Sequence, residues 1–134
     1  MRTLMTALVA SSVAAALSAC DSGAGCENVV TDTLASPDAA YEVRVWRRNC
    51  GATTADSFHF ELVEAGAPDR DIARREQVFL VGKGAREDYR LSWRAPGALS
   101  VDLGVGEDFI FRAEPDLEVG ERTVVISYTG RGAP

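Results

Sequence analysis

Apolar and polar side chains alternate one for one through the middle of the chain. Tyr41, Val43 and Val45 take one side of residues 41–48, and Glu42, Arg44 and Trp46 take the other. A period of two points successive side chains to opposite faces of an extended backbone, so the pattern predicts a half-buried strand. Phe58, Phe60 and Leu62 repeat it over Ser57–Glu64. Tyr89, Leu91 and Trp93 repeat it against Arg90, Ser92 and Arg94, and Leu99, Val101 and Leu103 extend that inward face beyond Pro96-Gly97. Shorter strands are predicted over Gln77–Val81, around Phe109 and Phe111, and over the β-branched segment Arg122–Thr129. Turn-forming residues separate them at Ser36-Pro37-Asp38, at Asn49 to Thr54 and at Gly82-Lys83-Gly84. Residues 65–76 carry Gly66, Pro68 and mixed charges and read as a loop with at most one helical turn, over Ile72-Ala73-Arg74-Arg75.

About seven strands without a periodic helix predict a mainly β domain, a small antiparallel β-sheet meander or sandwich. The N-terminal segment differs. Leu4 to Leu17 is predominantly apolar, too short for the roughly 20 residues of a transmembrane helix. With Arg2 ahead of it, the run fits a cleaved signal peptide over residues 1–19. Residues 20–28 are polar and Gly-rich and read as a tether. Residues 29–130 form the single domain, and 131–134 a frayed tail.

The apolar run ends in Leu17-Ser18-Ala19-Cys20, which resembles the lipobox of bacterial lipoproteins. That resemblance implies a diacylglyceryl group on the Cys20 thiol, cleavage just before it, and a further acyl chain such as palmitate on the new amino group. Each buried methylene contributes about 0.8 kcal/mol and a single chain holds only marginally. Two or three chains would make attachment to the bilayer lasting. Asp21 resembles the retention signal of enterobacterial lipoproteins and points to the periplasmic face of the inner membrane, with the outer membrane as the alternative.

Charge narrows the partners. Residues 1–19 contain one charged side chain, Arg2, so the remainder carries 13 basic against 20 acidic residues, a net −7. That sign, without a basic stripe, argues against nucleic acid. With Cys20 acylated, Cys26 and Cys50 remain as an even pair in an oxidising compartment, which predicts a disulfide. Closing a loop of that size is worth about 3.5 kcal/mol in the chain-entropy picture. The competing role for Cys50, a nucleophile activated by His59, lacks a third orienting group.

Ser36-Pro37-Asp38, the strand from Tyr41 to Arg48, and Asn49-Cys50-Gly51-Ala52-Thr53-Thr54 together resemble a family of small uncharacterised bacterial lipoproteins. An apolar strand and a Trp-containing strand follow in that pattern, here Val78 to Val81 and Leu91 to Trp93. The likeness spans residues 36–94 and implies a domain type rather than a reaction. The position after Pro37-Asp38 is often Gly in such turns and is Ala39 here.

The candidate binding loop is Asn49, Gly51, Thr53 and Thr54, which gathers hydroxyls and backbone donors beside Cys50. The alternative is a structural turn whose Thr hydroxyls cap local backbone groups. His59 is the only histidine and lies two residues from Glu61. A metal site needs three or four ligands, so neither metal nor cofactor is expected. Gly104-Val105-Gly106 lacks the lysine and helix of a phosphate loop. Arg44, Trp46 and Arg48 share a strand face that suits an anionic sugar or a peptide carboxylate, or is a solvated surface with Arg stacked on Trp. The expected function is a non-catalytic envelope lipoprotein that binds another envelope protein or a cell-wall component, or serves as an accessory partner. A small envelope hydrolase or redox enzyme is the alternative, which a cleft of convergent polar groups would favour.

Overall fold

The alternating segments become strands because each can bury one face against a second sheet. The computed structural model describes residues 25–69 and 76–134. The expected signal peptide, Cys20, Asp21 and the helical turn expected over residues 72–75 lie outside that range. Nine strands are described: β1 (Glu27–Ala35), β2 (Tyr41–Asn49), β3 (Ser57–Glu64), β4 (Val78–Lys83), β5 (Tyr89–Ala95), β6 (Ala98–Leu103), β7 (Ile110–Ala113), β8 (Asp116–Val119) and β9 (Arg122–Gly130). They form a five-stranded sheet ordered β1-β2-β3-β4-β7 and a four-stranded sheet ordered β5-β6-β9-β8. The fold is the mainly β meander anticipated from the alternation, closed into a sandwich. Among the described residues no helix is long and apolar enough to cross a membrane.

The inward residues are those that the period of two selects. Val43, Val45, Phe58, Phe60 and Leu62 of the larger sheet meet Tyr89, Leu99, Val101 and Leu103 of the smaller one in a single apolar cluster. Phe60 and Tyr89 touch across the sandwich with ring centroids 5.1 Å apart. The Tyr89 hydroxyl donates to the Lys83 carbonyl at 2.5 Å, and burial, with Asp88 nearby, pushes its pKa up to about 12. A side chain at Gly82 would run into that hydroxyl and lie 3.1 Å from the Phe109 carbonyl.

Several sequence expectations are corrected. Glu27 and Asn28, assigned to the tether, open β1. That strand was missed because it is mostly exposed and carries a bulge between Val30 and Asp32, which breaks any alternation. The four-residue β8 was missed as well, being too short to show a period. Strand β4 runs on through Gly82 and Lys83, both expected in a turn. Phe109 sits in a 3-10 turn, Glu107–Phe109, just before β7. The sandwich is not wholly antiparallel, because β6 and β9 pair in parallel. Parallel neighbours need a long crossover, and residues 104–121 supply it by visiting the larger sheet as β7 before returning as β8. The tail is docked rather than frayed: the Arg131 amide donates to the Leu103 carbonyl at 2.9 Å, and Gly132 is buried.

Cys26 and Cys50 form a disulfide with Cα atoms 4.0 Å apart. The register explains it. Glu27 faces Asn49 at the end of the β1–β2 ladder, so the next pair outward is Cys26 and Cys50. Their spacing falls just below the usual range of about 4.4–6.8 Å.

The other end of the β1–β2 hairpin is a turn held by side chains. The Ala39 amide donates to the Ser36 carbonyl at 2.9 Å, and the Ser36 hydroxyl donates to Asp38 Oδ1 at 2.7 Å. Arg122 Nη1 reaches Asp38 Oδ2 at 2.8 Å. The Arg122 hydrogen bond, then that of Ser36, lowers the Asp38 pKa from 3.8 to about 2. Ala39 has φ of 58°, the left-handed conformation that glycine adopts freely.

Two outcomes are expected. Reducing the disulfide, or replacing both Cys26 and Cys50 with Ser, should cost about 2–4 kcal/mol, read as a lower midpoint in urea unfolding. Ala39→Gly should raise stability by roughly 0.5–1 kcal/mol, because relief of the left-handed strain outweighs the added unfolded-state entropy. An unchanged or lower midpoint would contradict the turn geometry.

Candidate functional site

The outer face of the larger sheet is not the solvated surface that Arg44 and Trp46 suggested. Arg44 is 6% exposed, Trp46 6% and Glu61 2%. Register brings them together, since Arg44 pairs with Glu61 and Trp46 with His59 across β2 and β3. Trp46 Nε1 donates to Glu61 Oε2 at 3.0 Å, so the buried indole N–H and the carboxylate satisfy one another. Arg44 donates through Nε to Glu42 Oε1 at 2.7 Å, through Nη1 to Asp69 at 3.2 Å, and through Nη2 to the Ala67 carbonyl. The segment after β3 is thereby drawn back over the outer face. Arg48, the third member of that stripe, turns away, with Nε 3.5 Å from Cys50 Sγ.

His59 is half-buried, with Nε2 3.2 Å from the Ser57 hydroxyl. Among the described residues no three His, Cys, Asp or Glu side chains cluster as for a metal ion.

The candidate loop directs most of its polar groups inward on itself. Asn49 Nδ2 donates to Asp56 at 2.6 Å, and Asn49 Oδ1 accepts from the Gly51 amide at 2.9 Å. The Thr54 amide and hydroxyl both donate to the Gly51 carbonyl at 3.2 Å. Gly51 has φ of 119°, which only glycine adopts without strain. Asn49, Gly51 and Thr54 therefore shape the loop, and Thr53 is left exposed at its surface. Cys50 Sγ is bonded to Cys26 and is not a free thiol.

A cavity of about 170 Å³ opens at the opposite end of the sandwich. Glu61, Glu64, Gln77 and Pro68 line it beside Val119 and Gly120 of the β8–β9 turn. Gln77 Oε1 is buried there and accepts no hydrogen bond. Gly120 has φ of 60°, and a side chain on it would press on Glu64 Oε1 at 2.5 Å. Sequence reading missed this place because β8 was not recognised, so nothing linked Gly120 to Glu64 or Gln77. The one available signal was the glutamine at the edge of an apolar strand.

No family model, curated protein or solved structure matches the chain.

Arg44→Ala should destabilise the domain by about 2 kcal/mol, since it leaves the half-buried Glu42 carboxylate and Ala67 carbonyl without their donor. Amide hydrogen exchange should also speed up at residues 65–69. Arg48→Ala, which removes no such network, should stay within about 0.5 kcal/mol of the parent.

Proposed function

We propose that the protein is an envelope lipoprotein, held by acylated Cys20 on the periplasmic face of the inner membrane. Its sandwich serves there as a non-catalytic binding or accessory module. The observation that carries this reading is the position of the Cys26–Cys50 disulfide. Disulfides persist in oxidising compartments and not in the cytosol, which supports export. The bridge also clamps the chain to the sheet six residues after Cys20, where a lipid tether would pull.

The binding half of the reading draws on the opposite end. An eight-residue strand such as β3 is about 26 Å long, so the cavity beside Glu64 and Gln77 would face away from the bilayer. Its volume of about 170 Å³ is below the roughly 300–1,000 Å³ of small-molecule sites. It has room for a side chain of a partner protein or a short cell-wall group, beside the carboxylates of Glu61 and Glu64.

The test is Cys20→Ser in the producing cell. The variant should accumulate as an uncut, unlipidated precursor, while the parent fractionates with the inner membrane and carries the mass of a diacylglyceryl group. A variant still cut before residue 20 and recovered soluble from the periplasm would overturn the lipid anchor.

A further inference from the structure

The described residues include four exposed large apolar side chains: Val29, Phe109, Phe111 and Val125. Three gather at the end of the sandwich that carries the disulfide. The strand register places them there. Glu27 faces Asn49, Arg48 faces Ser57, Ser57 faces Lys83, and Gly82 faces Ile110. The starts of β1, β3 and β7 and the ends of β2 and β4 thus share one edge. Val29 lies near its β1 corner. Phe109 and Phe111, 50% and 58% exposed, lie at its β7 corner. Val125 pairs with Ala98, at the far end of the smaller sheet.

A lipid on Cys20 would put this same edge at the bilayer. Cys20 is six residue steps from Cys26, and an extended chain covers at most about 3.6 Å per residue. Cys26 therefore could not stand more than roughly 22 Å from the acylated cysteine. Four strand spacings of about 4.8 Å set the β7 corner some 19 Å across the sheet from Cys26. An anchor at one corner leaves a domain free to swivel on its tether, and a second contact at the opposite corner removes that freedom.

We propose that Phe109 and Phe111 dip into the interfacial layer of the bilayer that holds Cys20, so that the sandwich stands end-on with its cavity facing away. The proposal rests on the lipid anchor described above. Phenylalanine is suited to the boundary between headgroups and acyl chains. The Lys83 ammonium, 5.4 Å from the centre of the Phe111 ring, would sit at the level of the lipid phosphates, its stem along the apolar layer. Glu107 and Asp108 immediately precede Phe109 and repel anionic headgroups, so the contact is apolar and suits a zwitterionic surface.

The experiment uses the lipidated protein from Cys20 onward in phosphatidylcholine vesicles, with Phe111→Trp as reporter and Val125→Trp as the control at the far end. Emission is compared with that of the parent, which contributes Trp46 and Trp93. The F111W indole should shift to shorter wavelength on reconstitution and lose intensity when the lipid carries brominated acyl chains, and the V125W indole should do neither. A protein that floats with the vesicles while the F111W indole stays red-emitting and unquenched overturns the insertion and leaves the anchor standing. Equal quenching at both positions overturns the end-on orientation. A chain without lipid that fails to float overturns the anchor and the insertion together.

Discussion

The ring of Phe60 meets the ring of Tyr89 between the two sheets, and most of the architecture follows from keeping that layer dry. The aromatic contact lets the sheets approach only where no other bulk intervenes, which is why Gly82 lies under the Tyr89 hydroxyl. The same hydroxyl is buried, so it must find an acceptor, and the Lys83 carbonyl at the end of β4 provides it. Two further polar atoms tie the sheets near their margins. Tyr128 Oη donates to the Glu114 carbonyl at 2.8 Å, and Trp93 Nε1 reaches the Leu34 carbonyl at 3.4 Å. Each joins a residue of the smaller sheet to backbone of, or next to, the larger one.

A sandwich built this way has two unlike ends. At one, the disulfide continues the β1–β2 ladder and the neighbouring loop is held by its own hydrogen bonds. At the other, the end of β3, the segment after it, Gln77 and the β8–β9 turn line a small cavity, and the Gln77 carboxamide oxygen is buried without a partner. The first end is cross-linked and carries exposed aromatics. The second is concave, with Glu61, Glu64 and Gln77 set among Val63, Ala67, Pro68 and Val119. Under the lipid anchor proposed above, such a pair of ends would suit a module that presents a binding surface above a membrane.

The outer face of the larger sheet shows how charge can be buried when each group has a partner. Removing an arginine from water costs several kcal/mol, and Arg44 offsets that with a carboxylate on its own strand, a second one at Asp69 and a backbone carbonyl. The arrangement favours one particular path for the chain after β3. Replacement of Arg44 by an apolar residue would leave the inner core intact and lose that path.

The period of two in residues 41–48, 57–64, 89–93 and 99–103 was sufficient to name the strands and their inward faces, because alternation reflects a local property of extended backbone. The disulfide was legible from the cysteine count once Cys20 was set aside for the expected lipid. Strand β1, the parallel β6–β9 pair and the docked tail were not legible. Their stability comes from partners far along the chain, and an exposed edge strand or a four-residue strand carries no period of its own. The burial of Arg44, Trp46 and Glu61 was hidden for the same reason: alternation tells which residues share a face, and only the tertiary structure decides what covers it. The cavity at Gln77 and Gly120 likewise exists only because residues more than forty positions apart are brought together by the packing of one sheet on the other, which the local pattern does not encode.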